Sequence, residues 1–168
     1  MKNLFTTRNL CVSGIIAALY AALTIINPWG FGPVQVRFSE ALTILPMFTP
    51  AAIPGLFVGV LVSNLVAGYG MVDIIFGSLA TLIAAYLTCV LGKKILFHEV
   101  PKFLIAAFPP IILNALIVGW YLYWWVGFSE TYSLWFIMGF VGIGQIIACY
   151  GLGGVLYFAL KRTKIQLK

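Results

Sequence analysis

The 168 residues carry a formal net charge of +6, and 62% of them are hydrophobic while only 8% are charged. Soluble domains contain about 25% charged and about 45 to 50% apolar residues, so this composition excludes a water-soluble globule. A helix that spans the roughly 30 Å hydrocarbon core of a bilayer needs about 20 apolar residues, which leaves room for about five to seven crossings and little else. We therefore predict an all-α integral membrane protein in which residues 1–168 form one transmembrane domain.

Apolar runs separated by glycine, proline or charged residues predict six transmembrane helices. In chain order they cover about residues 10–27, 39–49, 53–68, 71–92, 103–123 and 133–160. The run at 39–49 is short for a crossing, and Pro46, Pro50 and Pro54 lie around its end. We therefore expect this segment to be kinked or tilted and packed on its neighbours.

The basic residues stand in short clusters between the apolar runs, which is typical of a topology signal and not of a nucleic-acid surface. Six crossings place nine of the ten Lys and Arg residues on one side and leave Arg37 on the other. The positive-inside rule makes the first side cytoplasmic. Both termini are therefore predicted to lie in the cytoplasm.

Polar side chains within apolar runs are the first functional candidates, because a charged group at the membrane centre costs about 2.5 to 3.5 kcal/mol on the insertion scale. Arg37 and Glu40 can meet across the first turn of a helix that Ser39 begins, either as a salt bridge or as a polar corner of a ligand pocket. The other candidates are Asn64, Asp73, Asn114 and Gln145. Each alone is as compatible with an interhelical hydrogen bond or a helix cap as with a ligand contact. Together they match the donor and acceptor edge of a small planar molecule.

Aromatic residues are dense near the predicted outer ends of the helices, and an interfacial belt accounts for most of them. Trp29, Phe31 and Tyr69 lie on outer loops. Trp120 and Tyr121 lie deeper than the rest, so they are the predicted stacking partners of a flat substrate.

Small residues four positions apart occur twice in the first predicted helix, as Ala17 with Ala21 and Ala18 with Ala22. Such pairs let another helix approach closely. The helix that packs against these alanines belongs either to this chain or to a partner protein.

The sequence does not favour an enzyme. Gly92-Lys93-Lys94 has Leu87 where the first glycine of a P-loop would stand, so we expect no ATP hydrolysis by this chain. One histidine and four acids do not assemble a convincing metal cluster, acid–base pair or triad. We predict neither a cofactor nor a metal.

Two stretches, VRFSEALT at residues 36–43 and PAAIPGLFVG at residues 50–59, resemble the QueT-type substrate-binding S components of energy-coupling factor (ECF) transporters. The likeness extends to Asn114-Ala115, Gly144-Gln145 and Cys149-Tyr150. The resemblance implies six helices, an outward-facing pocket closed by outer loops, and an alanine pair in the first helix that docks on a transmembrane coupling subunit. It also implies two separate ATPase subunits and a place in the bacterial cytoplasmic membrane.

The substrates implied by this resemblance are queuine, preQ1 and preQ0, which are 7-deazaguanines. A guanine-like edge offers an N1–H and an amino group, and Glu40 is the expected acceptor. Donors to the ring carbonyl would come from Asn64, Asn114 or Gln145, and Asp73 would suit the aminomethyl cation of preQ1. The alternatives are an S component for another vitamin-like ring compound, a stand-alone facilitator or small channel, and a structural scaffold.

Overall fold

The computed structural model describes residues 6–27, 36–68, 70–95 and 98–163. In these ranges the chain is helical and contains no strand. Its main elements are α1 (Thr7–Ile26), a 3-10 helix (Phe38–Met47), α2 (Ala52–Ala67), α3 (Asp73–Lys94), α4 (Glu99–Trp124) and α5 (Leu134–Arg162). Each of the six predicted helical segments is present.

Four helices of the described part of the chain, α1, α3, α4 and α5, are long and apolar enough to cross a membrane. The 3-10 helix and α2 are shorter apolar helices. Large apolar side chains face outward, including Ile15, Trp135 and Val155. A bundle with this exterior is solvated by lipid, so the protein is a multi-pass membrane protein.

The segment predicted at 39–49 differs in kind from an ordinary membrane helix. It is a ten-residue 3-10 helix that contains Pro46 and begins at Phe38, and Ser39 does not cap it. At about 2.0 Å per residue it extends about 20 Å, where an α-helix of equal length would extend about 15 Å. Every residue from Ser39 to Pro46 is buried, so the helix is enclosed by the rest of the bundle.

The packing of α1 against α2 depends on two glycines in α2. A Cβ at Gly55 would lie 2.7 Å from the carbonyl oxygen of Ser13, and a Cβ at Gly59 would lie 2.8 Å from the Cβ of Tyr20. Neither distance is tolerated between real atoms, so the two helices approach as closely as they do because these residues lack side chains. This contact fixes the position of Tyr20.

Contacts between the elements show that successive helices run in alternating directions. Ser13 Oγ near the start of α1 donates to the carbonyl of Ala51 before α2, at 2.7 Å. Met47 at the end of the 3-10 helix lies against Gly92 near the end of α3. We call this the basic end, because Lys93, Lys94, Lys161 and Arg162 lie in the last turns of their helices there.

Three π-helical segments interrupt the long helices within the described ranges: Asp73–Gly77 in α3, Asn114–Val118 in α4 and Ile147–Leu152 in α5. Such segments are rare and frequently occur at functional sites. Gly77, Asn114 and Val118 line one cavity, and Cys149 of the third segment contacts Thr43 in the 3-10 helix. The irregular backbone is therefore concentrated around the 3-10 helix.

Candidate functional site

Arg37, Glu40 and Asp73 are the buried charged side chains of the described residues, with exposures of 5%, 2% and 0%. All three belong to the first turn or flank of their helices, at the end opposite to the basic end. Buried charges are expensive in a membrane and mark candidate functional sites. The site is built around them.

Glu40 accepts hydrogen bonds from several helices. Tyr20 of α1 donates its hydroxyl to Oε1 at 2.6 Å, and Asn114 Nδ2 of α4 lies 3.5 Å from Oε2. Gln145 of α5 lines the cavity together with Glu40. Its Oε1 accepts from the thiol of Cys149 at 3.5 Å. Charge-assisted bonds such as those from Tyr20 and Asn114 stabilise a buried carboxylate.

A second chain of contacts runs from Arg37 to Asp73. Arg37 Nη1 lies 3.5 Å from Asn64 Oδ1, and Asn64 Nδ2 donates to the backbone carbonyl of Asp73 at 3.0 Å. Tyr121 donates its hydroxyl to Asp73 Oδ1. Asp73 Oδ2 is buried and has no hydrogen-bond partner among the described residues.

A cavity of about 10 Å³ lies between these groups. Its lining comes from the 3-10 helix and from α2 to α5: Arg37, Glu40, Val60, Gly77, Thr81, Asn114, Val118, Val141 and Gln145. This volume holds about one water molecule, whereas pockets for drug-sized ligands are about 300 to 1,000 Å³. The walls must therefore move apart before a ring compound can enter.

Seven of the eight predicted ligand residues come together in the structure. Arg37, Glu40, Asn114 and Gln145 line the cavity, and Asn64, Asp73 and Tyr121 form a group behind Gly77. Trp120 does not join them, because it is 40% exposed and lies 5.1 Å from the ring of Trp125. Its neighbour Tyr121, about 100° further round the helix, is buried. Trp29, Phe31 and Tyr69 lie outside the described residues.

Sequence reasoning missed the role of Tyr20. It is fully buried and lies within the span of both alanine pairs, and a buried tyrosine hydroxyl normally needs a hydrogen-bond partner. Thr24, one turn later, donates to Ser39 Oγ at 2.6 Å. Together they tie α1 to the first turn of the 3-10 helix. A tyrosine and a threonine four residues apart on one face of an apolar helix were the available signal.

The two alanine pairs of α1 have different surroundings. Ala17 and Ala21 are buried against the rest of the chain, whereas Ala18 and Ala22 are exposed. Gly14 extends the exposed pair by one turn, and no described atom outside its own helix backbone lies within 4 Å of where its Cβ would be. An apolar groove of about 360 Å³ runs along the same helix and includes Gly14, Ala17, Pro54 and Phe57.

The chemistry of the site is that of hydrogen bonding and charge. In the described part of the chain no group of three His, Cys, Asp or Glu side chains could hold a metal ion. Carboxylates, amides, a guanidinium and tyrosine hydroxyls instead offer donors and acceptors at fixed positions, as a binding site for a polar ring compound requires.

Two comparisons relate the chain to known proteins. The queuosine precursor transporter QueT of Lactococcus lactis subsp. cremoris (strain MG1363) is 34% identical over 80 residues, which are 46% of this chain and 47% of that protein. The chain thus aligns with about half the length of this curated relative. No solved structure matches the chain. The QueT transporter family matches residues 10–162, a range that contains every residue lining the cavity. The chain therefore belongs to the QueT transporter family.

Proposed function

We propose that this chain is the substrate-binding S component of an ECF-type importer and that it takes up a queuosine precursor of the 7-deazaguanine class. The observation that carries the proposal is the buried Glu40 carboxylate beside a cavity with donors from several helices. Membership of the QueT transporter family supports transport, and the name of the Lactococcus protein supports the substrate class.

Glu40 is the proposed acceptor for the N1–H and amino group of the ring. A carboxylate has two oxygens and can accept both bonds at once, which favours a guanine-like edge over an adenine-like one. Asn114, whose amide now donates to Glu40, and Gln145, which lines the cavity beside it, supply donors for the ring carbonyl when they turn toward the ligand. The site thereby exchanges internal hydrogen bonds for bonds to the substrate.

Opening of the cavity is part of the proposed mechanism. The walls that have to move belong to α3, α4 and α5, and the π segments of these helices offer alternative backbone hydrogen-bonding patterns. The stretch 28–38, one of the outer loops that could close the pocket, lies mostly outside the described residues. Closure after binding would separate the substrate from water.

Calorimetric binding to the detergent-purified chain tests the substrate and the site together. We expect tight binding of at least one of preQ1, preQ0 and queuine and weaker binding of guanine. Glu40→Gln should weaken binding by at least about 100-fold, because two charge-assisted hydrogen bonds are lost. Glu130→Gln is the matched control, since Glu130 is an exposed acid in the short 3-10 turn Phe128–Glu130. Loss of binding in the control but not in Glu40→Gln would contradict the proposal.

Energy for transport is proposed to come from partner proteins, a transmembrane coupling subunit and two ATPase subunits. The exposed stripe of Gly14, Ala18 and Ala22 on α1 is the proposed docking surface for the coupling subunit, because small residues let a partner helix come close. Ala18→Trp should reduce cellular uptake to near background and leave ligand binding unchanged. Leu116→Trp, at an exposed position on α4, is the control. Substrate flux through liposomes containing this chain alone would instead favour a stand-alone facilitator.

The orientation follows from charge. The basic end is proposed to face the cytoplasm, with six helical segments crossing or entering the bilayer and both termini inside. The cavity then lies near the outer face of the bacterial cytoplasmic membrane. Accessibility of a cysteine introduced at exposed Ser129 to a membrane-impermeant reagent tests this orientation. Protection of Ser129→Cys in intact cells would contradict it.

A further inference from the structure

The buried charges at the site do not balance. The described residues bury one base, Arg37, and two acids, Glu40 and Asp73. The undescribed stretches 28–35, 69 and 96–97 contain no acidic or basic residue. The other undescribed charged residues are Lys2, which precedes α1, and Lys164 and Lys168, which follow α5. The start of α1 and the end of α5 both belong to the basic end. With both acids ionised, the site therefore carries one excess negative charge.

Asp73 is the acid whose hydrogen bonding is incomplete. Its Oδ1 accepts from Tyr121, while its Oδ2 is buried with no partner among the described residues. An unpaired buried carboxylate oxygen is unfavourable in a protein interior and more so in a membrane. Protonation would remove the charge but would still leave the second oxygen without a partner.

Asp73 lies directly behind the cavity wall. The wall at this point is Gly77, and a Cβ there would lie 3.6 Å from Asp73 Oδ1, 3.3 Å from Tyr121 Oη and 2.6 Å from Asn64 Nδ2. Gly77 therefore lines the cavity that Glu40 also lines, and these polar atoms occupy the space that a side chain at position 77 would fill. Movement of the π segment Asp73–Gly77 is the step that would bring the Asp73 carboxylate to the cavity.

We propose that the site selects a substrate with one positive charge and that Asp73 Oδ2 accepts a hydrogen bond from its ammonium group. This inference rests on the proposed function and narrows it, because the 7-aminomethyl compound preQ1 is a cation whereas the 7-cyano compound preQ0 is neutral. The ammonium supplies both the missing charge and the missing donor. Glu40 then binds the ring edge, and Asp73 binds the 7-substituent.

Binding of preQ1 and preQ0 to the purified wild-type chain is the first test. We expect preQ1 to bind at least about tenfold more tightly, as a charge-assisted hydrogen bond predicts. Equal binding, or tighter binding of preQ0, would overturn the inference and leave the uptake proposal intact. Failure of preQ1, preQ0 and queuine to bind would overturn both. This comparison does not depend on the folding of any variant.

Asp73→Asn is the second test. It should abolish the preference for preQ1, while the affinity for preQ0 changes less than about threefold. Glu130→Gln should keep the preference. A preference that persists in Asp73→Asn would place the ammonium elsewhere and overturn the role of Asp73.

Discussion

Two tyrosine–glutamate pairs lie at opposite ends of the molecule and have the same hydrogen-bond length. Tyr20 donates to Glu40 at 2.6 Å in the interior, and Tyr157 donates to Glu99 at 2.6 Å at the basic end. The surroundings differ, because Glu40 is 2% exposed whereas the Glu99 side chain is 52% exposed and has Lys161 at 3.0 Å. The same hydrogen-bond length therefore occurs in two different environments, and only the Glu40 pair is buried beside the cavity.

The largest expected difference between the two pairs is in stability. Glu40→Ala leaves the donors of Tyr20 and Asn114 buried without their acceptor, and we expect a loss of about 3 to 5 kcal/mol in the free energy of unfolding. Glu99→Ala should cost less than about 1 kcal/mol, because water replaces the lost contacts. Thermal unfolding of both variants in detergent, without ligand, measures the difference. Equal losses would show that burial does not separate the pairs.

The tyrosines should repeat this pattern on a smaller scale. Tyr20→Phe removes only the hydroxyl that donates to Glu40, and we expect it to destabilise the protein by about 1.5 to 3 kcal/mol. It should also weaken substrate binding, because the carboxylate loses the bond that orients it. Tyr157→Phe should leave substrate binding unchanged, since Glu99 keeps Lys161. Weakened binding in Tyr157→Phe would reveal coupling between the two ends.

Two glycines of α3 extend the comparison to packing. A Cβ at Gly77 would lie 2.6 Å from Asn64 Nδ2, whereas a Cβ at Gly92 would lie 3.0 Å from Met47 Cγ and 3.2 Å from Met47 Cα. Gly77→Ala should cost about 1 to 3 kcal/mol and weaken binding, because Asn64 has to move. Gly92→Ala should cost about 1 kcal/mol, because the 3-10 helix has to shift by a few tenths of an ångström at Met47, and should leave binding intact, because Gly92 lies near the basic end. Calorimetry and thermal unfolding on the same samples separate the two effects.

The ion pair at the basic end should give the smallest effect. Lys161→Met removes the partner of an exposed carboxylate, and surface ion pairs contribute about 0 to 1 kcal/mol. The change in melting temperature should shrink further at high salt, because salt screens exposed charges. A large loss that does not depend on salt would mean that Glu99 and Lys161 are shielded in the membrane-embedded protein.

The long helices could be predicted from the sequence because each has enough apolar residues to cross a bilayer. The 3-10 character of Phe38–Met47 could not, since a segment buried on every side has no hydrophobic period to read. Its short length and Pro46 did indicate an unusual segment.

The polar site was predictable for a different reason. Polar residues stand out in apolar surroundings, as Arg37, Glu40, Asn114 and Gln145 do. A polar side chain is costly to bury alone in a membrane, so such side chains are found in contact with one another. Tyr20 was hidden because tyrosine is common in membrane helices. The position of Trp120 was missed because Trp120 and Tyr121 are adjacent, and adjacent helical residues point about 100° apart.

The enclosed 3-10 helix also has a consequence for how the protein is made. A ten-residue segment flanked by Arg37 and carrying Glu40 is a poor substrate for independent membrane insertion. It should enter the bilayer together with α1 and α2, the helices that flank it in the chain. The other residues that line the cavity with Glu40, Asn114 and then Gln145, are synthesised later. A chain that ends before α5 lacks the cavity residues Val141 and Gln145. We expect such a chain to insert into the membrane but not to bind the proposed substrate.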